Sequence, residues 1–176
     1  MSTPKAQQPA PVAKPLERAV VARVSDVPPG SRILVEVNGR EIGIFNENGR
    51  FHALLNHCPH LGGDLCRGEI LSLLESDRPG EYRLDESRKF IACPWHGWEF
   101  DLATGQSYLD PQRTRTRVIP TEVERGTQVQ EELDAGVSAT IQGSYGGPGL
   151  VKGPFIAEVV KVEIDDEYLV VVMRRR

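Results

Sequence analysis

The chain has 176 residues, of which 39% are hydrophobic, enough for one sizeable core and too little for a second domain of ordinary size. Its formal net charge of -4, with 26% charged residues, gives no general attraction to nucleic acid or an anionic membrane, so a small molecule or another protein is the expected partner. Three cysteines are an odd number, which argues against a secreted framework of paired disulfides.

Residues 1–18 carry four prolines and no continuous apolar run, so they read as a disordered tail rather than a signal peptide or membrane anchor. No membrane insertion is expected, and the cytoplasm is the default location. The body is expected to run over 19–173, with 174–176 as a short basic tail. It opens with a strand from Ala19 to Val24, stopped by Pro28-Pro29-Gly30. In Ser31–Val37, Ile33, Val35 and Val37 alternate with Arg32, Leu34 and Glu36, and the Asn38-Gly39 pair that follows suits a tight hairpin. Arg40–Phe45 is the return strand. A second Asn-Gly turn at Asn48-Gly49 leads into Arg50–Leu55, so the first third reads as an antiparallel meander.

Beyond the meander, Glu69–Glu75 is a short apolar segment and Ser76–Glu81 is rich in turn formers, suggesting an excursion within 67–88 before the chain returns at Lys89–Ala92. Trp98–Leu102 reads as a strand and Thr104-Gly105 as a turn. Arg113–Val118 reads as a basic strand with Arg113, Arg115 and Arg117 on one solvated face. Glu122–Gly147 is polar and lacks a sustained period, part of a second insertion over 119–154. Phe155–Ile164 and Glu167–Met173 are expected to form a final hairpin around Asp165-Asp166; Val160, Val162, Ile164, Tyr168, Val170 and Val172 can face the core, and the continuous valines around each set leave the facing register open.

Chemistry concentrates in two short stretches, HCPHLGG at His57–Gly63 and CPWHGWEF at Cys93–Phe100. Each supplies one thiol and one imidazole: Cys58 and His60 from the first, Cys93 and His96 from the second. Pro59 and Pro94 stiffen the intervening backbone, and Gly62, Gly63 and Gly97 permit tight loops whose amides could approach inorganic sulfide. Two thiolates and two imidazoles also suit structural zinc. Their arrangement differs from a short zinc finger, because each stretch is a mixed pair and a long segment separates His60 from Cys93. The residue pattern alone leaves zinc open, with a non-redox interaction module as the corresponding function.

Cys58-Pro59-His60-Leu61-Gly62 together with Cys93-Pro94-Trp95-His96-Gly97 closely resembles the paired signature of Rieske iron-sulfur domains, and Trp98, Phe100, Asp101 and Thr104-Gly105 resemble the continuation in oxygenase-associated members. The resemblance covers 19–100 and 155–173 and implies an all-β fold: an antiparallel β-sandwich with a small cluster-binding subdomain and loop insertions. It implies a [2Fe-2S] cluster with Cys58 and Cys93 on one iron and His60 and His96 on the other. The implied function is one-electron transfer, with a reductase as donor and an oxygenase or other redox protein as acceptor. Trp95 and Trp98 would shield the cluster, and electrons would pass through the His60/His96 edge.

Departures from the family bear on potential. Gly63 and Trp95 stand where respiratory-chain members have an extra cysteine pair, and Trp98 and Phe100 stand where high-potential members have a serine and a tyrosine donating hydrogen bonds. A low-potential ferredoxin is the nearer comparison. Cys66 reads as a packed thiol, and His52 and His57 as structural. An oxygenase would need two histidines and a carboxylate on a separate iron. Only four histidines exist, so a carrier is favoured over an oxygenase component.

Overall fold

The computed structural model describes residues 16–134 and 165–174. Ten strands and one α-helix are formed among them: β1 Leu16–Arg23, β2 Arg32–Val37, β3 Arg40–Glu47, β4 Arg50–Leu55, β5 Glu69–Arg78, β6 Glu81–Ala92, β7 Glu99–Asp101, β8 Val118–Ile119, β9 Thr121–Arg125, α1 Gly126–Asp134 and β10 Glu167–Arg174. They build three antiparallel sheets, ordered β1-β10-β9, β2-β3-β4-β8 and β5-β6-β7.

The meander forms as its turn residues dictate. Asn38 and Gly39 have φ of 54° and 67°, and Asn48 and Gly49 have 51° and 90°, so each pair closes a two-residue hairpin with both central residues left-handed. The flanking pairs Val37↔Arg40 and Glu47↔Arg50 fix the register. Strand β3 is central and buried on both faces, from Ile42 to Asn46. Ile42 and Ile44 enter one core with Val35, Val37, Ala53, Ala19, Leu169 and Val171, which joins the first two sheets as a sandwich. Phe45 enters a second core with Leu54, Leu65, Ile91, Phe100, Leu102, Cys58 and Cys93. The meander thus carries the fold on one side and the candidate site on the other.

Several expectations are corrected. Leu16–Arg18, expected in the tail, belong to β1, and Arg18 forms ion pairs with Glu122, Glu124 and Glu132. The excursion is an ordered ribbon: β5 and β6 pair from Glu69↔Ala92 out to Arg78↔Glu81, reversing at Gly80 with φ 87°. Of the expected basic strand, Arg115 forms an isolated bridge to Gln106 and regular pairing is confined to Val118, which opens β8. The alternation nevertheless holds, with Arg113, Arg115 and Arg117 exposed and Thr116 buried.

The stretch from 119 begins as sheet and helix rather than as an insertion. Strand β10 sits between β1 and β9, and buries both faces. Leu169, Val171 and Met173 enter the sandwich core, whereas Tyr168 and Val170 pack with Val20 under Val129 of α1. A strand covered on both sides carries a continuous apolar run, which is why alternation could not set its facing. The expected partner strand at 155–164 lies outside the described residues, as does most of the polar stretch after Asp134.

Candidate metal centre

The first loop runs from β4 into β5 and the second joins β6 to β7, so both meet the third sheet. Glu69, Ala92 and Glu99 form a row across β5, β6 and β7, so the exit of the first loop and both roots of the second are held together by backbone pairing. Gly68 makes this contact possible: a Cβ there would lie 2.0 Å from the Ala92 carbonyl oxygen.

Each loop closes by the same pair of backbone bonds. The Cys58 N–H donates to the Gly63 oxygen at 2.9 Å and the Gly62 N–H to the Cys58 oxygen at 2.8 Å. The Cys93 N–H donates to the Trp98 oxygen at 2.7 Å and the Gly97 N–H to the Cys93 oxygen at 2.9 Å. Gly62 and Gly97 take φ of 85° and 68°, the left-handed conformation this closure needs. Their own amides are therefore committed to loop closure. The amides that reach sulfur are those of His60 and Leu61, which donate to Cys58.

Two buried thiols and two exposed imidazoles result. Cys58 and Cys93 are neighbours in the second core, and burial followed by the opposing Cys93 pushes the Cys58 thiol up despite the two donated amides. The imidazoles of His60 and His96 meet edge to face with centroids 5.0 Å apart. The structure thus brings Cys58 together with Cys93 in one core cluster and His60 together with His96 in one ring contact. Among the described residues, no three or more His, Cys, Asp or Glu side chains converge as on one metal ion. The buried thiol pair and the exposed imidazole pair offer two kinds of ligand, as a two-iron group with different ligands at each end would use.

Trp98 stacks on His60, centroids 4.9 Å apart and planes 20° from parallel, so it packs as expected. Trp95 does not shield in the same way, since it stays 60% exposed beside the equally exposed Leu61. The inner part of its ring covers Gly63, where a Cβ would lie 3.1 Å from Trp95 Cγ and 2.8 Å from Cys93 Sγ. Phe100 is fully buried with the two cysteines and has no hydroxyl to offer.

Cys66 is a free thiol outside the pairs, with Sγ 3.6 Å from the Ile33 oxygen, and burial raises its pKa. His52 lies within β4 opposite Phe45, and the His57 ring neighbours Gly62. Asn56 is a residue the motif did not single out. It is buried, donates from Nδ2 to Glu41 at 3.1 Å and accepts the Cys66 N–H at 2.7 Å, tying the entry of the first loop to its exit. Asp101 anchors the exit of the second loop, with Oδ1 accepting the N–H groups of Ala103 and Thr104 at 2.9 and 2.8 Å. An asparagine just before a metal motif and an aspartate starting a turn were the available signals.

No helix among the described residues is long and apolar enough to cross a membrane. The Rieske [2Fe-2S] domain family matches residues 17–121, more than half of the chain. The match ends before β10, so the resemblance expected over 155–173 lies beyond it. Mouse apoptosis-inducing factor 3 is 33% identical over 98 residues, 56% of this chain but 14% of that protein, so the similarity spans a small part of that longer relative. The ferredoxin component of the naphthalene 1,2-dioxygenase/salicylate 5-hydroxylase systems of a Ralstonia species is 28% identical over 103 residues, 58% of this chain and 84% of that protein. Among solved structures, the ferredoxin of carbazole 1,9a-dioxygenase from Nocardioides aromaticivorans aligns at 22% identity and a TM-score of 0.46, over 61% of this chain and 90% of that one. With the mixed thiol-imidazole loops and the matched span together, this chain belongs to the Rieske [2Fe-2S] domain family.

Proposed function

We propose that the chain is a one-electron carrier of the ferredoxin type, taking an electron from a reductase and passing it to an oxygenase or related redox protein. In this reading Cys58 and Cys93 hold one iron of the cluster, and His60 and His96 hold the other. The observation that carries it is the division of the four side chains into a buried thiol pair and an exposed imidazole pair. The bound cluster supplies the capacity to accept and return one electron.

The protein's own residues do the rest. Backbone closure of both loops holds the four side chains in place, which limits rearrangement between redox states. The His60 and Leu61 amides stabilise negative charge on the Cys58 sulfur. Phe100, Leu54 and Leu65 keep water from the thiol side. His60, His96, Leu61 and Trp95 form the exposed face through which a partner approaches. Three unpaired cysteines support a cytoplasmic location.

The test is stopped-flow transfer from the reduced, cluster-loaded protein to an aromatic-ring dioxygenase oxygenase component, with normal protein and Leu61→Glu compared at equal iron content. Transfer slowed by about tenfold in the variant is expected. Equal rates under partner-limited conditions contradict docking at Leu61, and substrate hydroxylation by the isolated chain contradicts the carrier function itself.

A further inference from the structure

The three arginines after the second loop occupy a defined place beside the site. The Leu55 N–H donates to the Arg117 oxygen at 2.9 Å, the Thr116 N–H to Gly105 at 2.8 Å and the Ser107 N–H to Thr114 at 3.2 Å. Leu55 ends β4 just before Cys58, and Ser107 bridges to Phe100 in the core under the thiols. The segment is thus bonded to the strand entering the first loop and to the turn following the second. Gly105 enforces the closeness, because a Cβ there would lie 2.3 Å from the Thr116 oxygen.

Thr116 is buried, whereas Arg113, Arg115 and Arg117 are exposed. Arg115 and Arg117 flank Thr116, and Arg113 lies in the preceding turn, where its N–H donates to the Asp110 oxygen at 3.2 Å. Among the described residues none of the three forms an ion pair, although Arg18, Arg23, Arg67, Arg83 and Arg88 all do. Three exposed positive charges, with no ion pair among the described residues, thus stand on a segment bonded to the strand that enters the first loop, in a chain whose formal net charge is -4.

We propose that Arg113, Arg115 and Arg117 form a docking strip for a redox partner that presents carboxylates, orienting that partner on the adjoining imidazole face. The inference rests on the carrier reading above and adds the chemistry of the partner. Charges within a Debye length, about 10 Å at 0.1 M salt, act locally, so the strip attracts a carboxylate surface that the whole-molecule charge would repel.

That opposition in sign supplies the test. The reduced full-length holoprotein is mixed in a stopped-flow instrument with acidic cytochrome b5 or basic cytochrome c as acceptor, at increasing ionic strength. The cytochrome b5 rate is expected to fall by about tenfold as salt rises from low to physiological, the sign of attraction. Arg115→Glu lowers the low-salt rate by about tenfold, whereas Arg50→Glu, the same charge change at the far end of β4, leaves it within about twofold. Should Arg115→Glu lose its cluster, Arg115→Gln carries the comparison with a smaller decrease. A cytochrome b5 rate that climbs with salt, or equal effects of Arg115→Glu and Arg50→Glu, overturns the strip while leaving the carrier intact. A holoprotein that takes up no electron from dithionite overturns both.

Discussion

Gly63 has no side chain because Cys93 leaves no room for one: a Cβ on Gly63 would stand 2.8 Å from Cys93 Sγ, with the Trp95 ring 3.1 Å away on the other side. The first loop therefore packs its backbone directly on a thiol of the second. A methyl group here must displace the sulfur, the indole or both, at a cost of about 1–3 kcal/mol. Gly63→Ala is expected to lower cluster content by about half or more, measured as iron and acid-labile sulfide per chain. Gly49→Ala, where φ is 90° but nothing lies within 4 Å, is strained by about 1–2 kcal/mol and keeps its cluster.

The same pair shows what could be read from the sequence. Cys58, His60, Cys93 and His96 were legible as a mixed thiol-imidazole set from residue type and spacing, with the two-iron reading implied by the resemblance to Rieske domains, and both Asn-Gly turns were legible because few other pairs accept two left-handed residues. The contact between Gly63 and Cys93 joins separate loops and leaves no local mark. Helix α1 was missed because its sequence is mostly polar, and among its described side chains Val129 is the one in a core cluster. The β5-β6 ribbon was missed because Leu74, Tyr82 and Leu84 are exposed, so no half-buried alternation marks it. The His60 and Leu61 amides were invisible because a backbone donor has no residue signature.

Phe100 sets an expectation for potential. It is fully buried in the core that contains both thiols and brings no donor. Voltammetry is expected to place the midpoint near the low end of the Rieske range, about -150 mV. Phe100→Tyr adds a hydroxyl beside the sulfurs and shifts the midpoint upward, since a donated hydrogen bond favours the more negative reduced state. A midpoint of the normal protein above about +100 mV contradicts this account of Phe100 and Trp98.

Cys66 is expected to have no part in the cluster. Its sulfur faces the Ile33 oxygen at 3.6 Å, and burial holds the thiol protonated at neutral pH. Cys66→Ser keeps full iron and sulfide and an unchanged visible spectrum, with a stability loss of about 1 kcal/mol in urea titration. Loss of the spectrum at normal folding would make Cys66 part of the centre.

His52 makes stability depend on pH. Burial lowers its pKa below the ordinary 6.5, so between its folded and unfolded values the unfolded chain binds more protons and stability rises with pH. The contribution is complete above pH 6.5 and is lost as pH falls toward the folded value. Urea midpoints of the holoprotein are expected to drop less between about pH 7.5 and pH 5 in His52→Phe than in the normal protein. An identical drop in both would assign the acid sensitivity elsewhere.

The cluster assignment stands or falls on metal content. After anaerobic reconstitution with iron, sulfide and zinc all present, the purified protein is expected to hold about two irons and two acid-labile sulfides per chain. Reduced, it is expected to give an electron paramagnetic resonance spectrum with the low average g value that two imidazoles at one iron produce. His96→Ala, which removes one of those imidazoles, should lose that signal. A colourless protein carrying one zinc and no sulfide would contradict the assignment of Cys58, His60, Cys93 and His96 to a two-iron cluster.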